Sequence, residues 1–185
     1  MFVFTVRGLK VVLFRLIKIK EFNRIHLLFM RTRDLIIAGI AGTTLMTAFS
    51  HLISHKRKKN FSEPELLGAV LQGTPPATAN LPARIAGWAL HYMTGIAFAT
   101  TYAFVLRLAE RQPSLVRALV FGVASGAISI VAWKTFFFFD KKIAKLKDDE
   151  YFLQLFLAHI VFAITCSQTY ALLKKQSGVK NIAAN

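Results

Sequence analysis

The sequence predicts an all-α integral membrane protein: an antiparallel four-transmembrane-helix bundle with a short interfacial helix in its first loop. Two features carry this reading. Hydrophobic residues make up 55% of 185 positions and are gathered into four long runs, unlike the evenly spread apolar content of a soluble domain. The 24 Lys and Arg lie almost wholly between those runs or in the N-terminal arm. With a net charge of +15, that distribution suits loops beside anionic headgroups better than a groove for phosphates, so the lipid bilayer is the expected partner and nucleic acid is not.

Residues 1–33 form a basic, apolar arm. Arg7, Lys10, Arg15, Lys18, Lys20 and Arg24 interrupt it too often for a span, and no signal-peptide order is present. Two readings stay open: an arm on the membrane surface, or a segment outside the mature chain, with translation starting at Met30. The first span, about 34–55, holds no Asp, Glu, Lys or Arg from Leu35 to His55. Ala38, Gly39 and Gly42 give it a small-residue face, and Lys56 to Lys59 end it.

In the first loop, Ser62-Glu63-Pro64-Glu65 has the form of a capping box, predicting a half-apolar helix to about Gln72 before Gly73-Thr74-Pro75-Pro76 breaks it. A solvated connector lying at the interface is the favoured reading, and a lid over the bundle the other. The second span, about 83–106, repeats Gly95, Ala99 and Ala103 at four-residue spacing. The Arg107–Ser114 turn is short enough to make the third span, about 115–139, its antiparallel neighbour. That third span carries Ala118, Gly122 and Gly126 on one stripe and Lys134 near its end. A charged third loop leads to the fourth span, about 151–173, and 176–185 reads as a disordered tail. Fourteen Lys and Arg on the side of the termini against nine opposite put both termini in the cytoplasm. A start at Met30 makes the count eight against nine and leaves orientation undecided.

At 1.5 Å per residue, His51 lies ~6 Å, His91 ~10 Å, Lys134 ~8 Å and His159 ~13 Å from span ends on one side of the membrane. One titratable group from each helix at similar depth is the only candidate site, a polar intramembrane level. It could sense or conduct protons or take an anion. A metal on His51 and His55 with Glu63 or Glu65, or a haem between His91 and His159, ranks below that, and neither metal nor cofactor is expected. The bland alternative is that Lys134 snorkels and the histidines are interfacial polar groups. Cys166 is single and apolar in setting, which excludes an internal disulfide. No nucleophile with an orienting base and no phosphate loop appears, so no enzyme activity is expected.

Gly39 to Gly42 (Gly-Ile-Ala-Gly), His91 ahead of Gly95 and Tyr102, Gly122 with Gly126, and His159 together resemble the YagU-like and related families of uncharacterised bacterial four-helix inner-membrane proteins, over roughly Asp34 to Lys175. The resemblance implies a four-helix inner-membrane protein and supplies no catalytic residues. Two functional expectations follow. One is a small transport, proton-sensing or conductance module using the polar level. The other is a structural or accessory subunit that binds another membrane protein, or a further copy of itself, through small-residue helix faces, with Gly39, Gly42, Gly95, Gly122 and Gly126 as the helix-packing residues.

Overall fold

The computed structural model describes residues 6–58, 62–139 and 149–183, with side chains over 32–58, 62–139 and 149–176. The described residues form five α-helices and no strand: α1 (Val6–Arg57), α2 (Glu63–Gln72), α3 (Leu81–Leu108), α4 (Leu115–Phe139) and α5 (Asp149–Ala183). Four segments are long and apolar enough to cross a membrane: Thr32–Arg57, Leu81–Leu108, Leu115–Phe139 and Asp149–Gln176. The chain is an all-α four-helix membrane protein.

The chain divides after Asp34 into two units, and everything below concerns the second, Leu35–Asn185. The expected surface placement of the arm falls on residues whose side chains are outside the described ones. Helix α5 runs as helical backbone to Ala183, into the segment read from the sequence as a tail. Residues 140–148 of the third loop lie outside the described residues.

Burial follows the inside-out pattern that lipid favours. Ile85, Met93, Val116, Val120, Ile128, Val131 and Phe138 are exposed, while Thr43, Thr47, Ser50, Ser125, Ser129, Gln154 and Ser167 are buried. With no water in hydrocarbon to satisfy a hydroxyl, these groups must bond inside the bundle. Thr43 Oγ1 donates to the Gly39 carbonyl and Thr47 Oγ1 to the Thr43 carbonyl, each at 2.8 Å.

The glycines let the helix backbones meet. A Cβ on Gly39 would lie 2.7 Å from Ile96 Cα, and one on Gly95 would overlap Thr43 Oγ1, so α1 and α3 meet there. Gly42 faces Phe162 of α5. Gly122 lies against Ile160 and Gly126 against Phe156, so the α4 stripe is covered by α5.

The expected solvated connector is a correction. Helix α2 packs on α3, and Glu63, Pro64, Leu66, Gly68 and Ala69 are buried. The crossing is possible because two glycines meet: a Cβ on Gly68 would lie 2.7 Å from the Ala83 carbonyl oxygen, and one on Gly87 would run into Pro64 and Gly68 backbone. The capping box also does not form. Ser62 is the N-cap by backbone position, but its side chain makes no cap hydrogen bond. Glu65 instead reaches Arg84 at 3.6 Å. Gly73, at φ 68°, closes the helix by turning its N–H back to Val70. On α3, Asn80 caps properly, its Oδ1 accepting from Ala83 N at 2.9 Å.

Candidate functional site

Burying the first turn of α2 carries a carboxyl into the end of the bundle. Glu63 is 2% exposed, and its Oε1 accepts from Ser50 Oγ of α1 at 2.9 Å and from Gln154 Nε2 of α5 at 3.2 Å. Gln154 Nε2 also donates to Ser50 Oγ. A carboxyl without a cation beside it suffers desolvation in its charged form. Burial therefore raises the Glu63 pKa from 4.5 to about 7, with the bonds from its own backbone, Gln154 and Ser50 opposing the rise. Two acceptors in this cluster, Glu63 Oε2 and Gln154 Oε1, have no hydrogen-bond partner among the described residues.

Glu63 lines a cavity of about 340 Å³ between α1, α3, α4 and α5. His91 and His159 line it as well, with Thr43, Thr94 and Ser129, on walls that are otherwise apolar. For neutral rings, the hydrogen bonds assign the two histidines opposite tautomers. His159 Nδ1–H donates to the Leu155 carbonyl at 2.9 Å, so its Nε2 accepts from Ser129 Oγ at 2.6 Å. Thr47 gives its one proton to Thr43, so at 2.9 Å its oxygen accepts from His91 Nε2–H.

Away from α2 the cavity ends on aromatic rings. Phe98 stands edge-on to His159 at 5.8 Å and to Phe121 and Phe162 at 6.3 Å each. Beyond these rings the buried polar contact is Tyr102 Oη with Ser167 Oγ at 2.8 Å.

Of the four residues expected to share one level, the structure brings His91 and His159 to the cavity and leaves His51 and Lys134 outside it. His51 is exposed and stacks on Trp88 at 6.4 Å. Lys134 is exposed, with Nζ 5.2 Å from the Phe152 ring centre. Depth along a helix was countable from the sequence, but rotation about its axis was not. No group of three or more His, Cys, Asp or Glu among the described residues could hold a metal, and His55, like His51, is exposed. Both nitrogens of His159 and Nε2 of His91 are engaged by protein groups, which leaves the facing pair poorly disposed for haem. Sequence reasoning missed Glu63 as an interior residue, together with Ser50, Ser129 and Gln154. The available signal was Gly68 and Gly87, two small residues able to seat a short helix on its neighbour.

Fold and site define a multi-pass membrane protein with a largely apolar cavity that carries Glu63 and two histidines and is bordered by a short buried helix. Compared with protein-family models, curated proteins and solved structures, the chain matches none.

Proposed function

We propose that this protein is a small transport or proton-responsive module of a bacterial inner membrane, with both termini in the cytoplasm, that handles solute or protons at the cavity beneath α2. The observation that carries the reading is the convergence of Glu63, His91 and His159 on one 340 Å³ space inside a lipid-facing bundle. Ionisable side chains in such a setting are expensive and tend to mark pathways and binding sites. The YagU-like resemblance supports the membrane and the helix count, and says nothing of the cargo. The assembly reading has less support, because Gly39, Gly42, Gly95, Gly122 and Gly126 each already face a neighbour within the chain.

Ala132 lines the cavity from α4, so Ala132→Trp places a ring in it without removing a titratable group. Reconstituted in liposomes under an imposed pH gradient, the wild type should dissipate the gradient faster than protein-free liposomes. Ala132→Trp should return the rate to background. Equal rates for wild type, variant and empty liposomes would count against the transport reading.

A further inference from the structure

The cavity has one acid, two neutral imidazoles, and walls rich in aromatic carbon. Glu63 lines the space, and Gln154, hydrogen-bonded to it, does not. Glu63 Oε2 and Gln154 Oε1 are both acceptors, their residues are 2% and 3% exposed, and neither atom has a hydrogen-bond partner among the described residues. While Glu63 is ionised the Gln154 amide cannot be turned to relieve this, because its Nε2 then faces a carboxylate oxygen that can only accept. The buried Glu63 acceptor on the cavity wall asks for a ligand that brings an N–H donor, and the carboxylate asks that it be positive.

Among the described residues, the cations flanking the cavity do not meet that need. Arg84 is engaged with Glu65 at 3.6 Å, and Lys134 is exposed beside Phe152. A bare metal ion would find too few ligands. The walls suit a carbon skeleton, since Phe98, Trp133 and Phe136 all line the space, and aromatic faces attract an ammonium group as well. The volume of about 340 Å³ is roughly twice the ~150 Å³ that accommodates one benzene ring.

We infer that the cavity binds a lipophilic primary-ammonium cation, its body among Phe98, Trp133 and Phe136 and its N–H donors on the Glu63 carboxyl, and that this cation competes with a proton for Glu63. The inference rests on the cavity being the functional site and adds the chemistry of its ligand. When Glu63 is protonated the charge partner is gone and the cation leaves; when the cation arrives the proton is expelled. The pKa of about 7 puts both forms within reach near neutrality. The other titratable groups facing this region are Tyr151 and His159 from α5 and His91 from α3. The residues lining the cavity from α1 and α4 do not titrate.

The test is calorimetric titration of the full chain in detergent with 2-phenylethylammonium and with propylbenzene, its uncharged counterpart, at about pH 8.5 and about pH 5.5. The ammonium should bind more tightly at the higher pH, by about thirtyfold for a competing proton on a group of pKa about 7. Propylbenzene should bind weakly and equally at both. Glu63→Gln should abolish the ammonium preference and its pH dependence while keeping propylbenzene binding. Equal affinities of the two ligands at both pH values would overturn the ammonium assignment and leave the cavity standing as a site. Binding of neither ligand would overturn both. A pH dependence that survives in Glu63→Gln would move the titration to His91 and His159 and overturn the role of Glu63. The wild-type comparison needs no variant, so the inference can fail even if Glu63→Gln does not fold.

Discussion

At the α2 end of the bundle, Glu63, His91 and His159 line a cavity, with Ser50 and Gln154 bonded to Glu63; at the other end, Ala118, Gly122, Ala163 and Cys166 are buried, and the buried polar side chains are Ser125, bonded to the Gly122 carbonyl of its own helix, and Tyr102 with Ser167. The second arrangement is what helix association in lipid ordinarily uses, small residues and close backbones. The first leaves space open and acceptors unmatched, which weakens packing and desolvates a carboxyl. A chain able to close one end this tightly has no packing reason to leave the other end hollow. Under the proposed function, the α2 end is the working end and the far end holds the bundle together, with the Phe98, Phe121 and Phe162 rings between them.

Substitutions can break or sharpen that division. The largest effect should come from Gly122→Leu, since even a Cβ there would lie 2.9 Å from Ile160 Cα. Overpacking typically costs 1–3 kcal/mol, occasionally more, and backbone-to-backbone contact has least room to yield, so roughly 3 kcal/mol or more should be lost in a chemical unfolding series. Gly87→Leu should instead dislodge α2 with the four long helices still assembled. Its signature is protease access to the first loop with little change in global unfolding, and a collapse as large as that of Gly122→Leu would erase the distinction. Phe98→Ala removes the ring between the two regions. It should lower stability by about 2–4 kcal/mol, within reach of large-to-small core changes, and should raise any proton leak in liposomes. Ser129→Ala leaves His159 Nε2 without its donor and should cost about 1–3 kcal/mol, the range for an orphaned buried group. Tyr102→Phe should be the mildest, about 1 kcal/mol for one neutral hydrogen bond, with no effect on ligand or proton response.

How much of this was legible in the sequence depends on which physical quantity a residue reports. Span existence was plain, because length and absence of charge suffice. The observed boundaries at Leu81, Leu108 and Asp149 lie a turn or less outside the expected ones. The close-packing faces were also legible, since glycine and alanine at four-residue spacing can serve little else. The site was half legible. His91 and His159 share the cavity, but Trp133 is buried while Lys134, one residue on and 100° round the helix, is exposed. Nothing in a linear count fixes that rotation when both faces of the helix are apolar. Glu63 was obscured for another reason. Ser-Glu-Pro-Glu satisfies a local capping rule, and the tertiary seat offered by Gly68 and Gly87 prevailed over it.

The most direct measurement is the pH dependence of thermal stability for wild type and Glu63→Gln in the same detergent. Glu63 has a folded pKa above its unfolded value of 4.5, so the folded state binds the extra proton between those values. Stability should therefore be highest at or below about pH 4.5 with respect to this group, fall as pH rises to about 7, and level off above it. For a fully buried carboxyl the loss is on the order of 3 kcal/mol. Glu63→Gln should lack that decline and should melt above wild type at about pH 8, where the wild-type carboxylate is charged. Parallel curves for the two proteins would contradict the account: Glu63 would then be an ordinary solvated acid, and the α2 end no more than a loosely packed one.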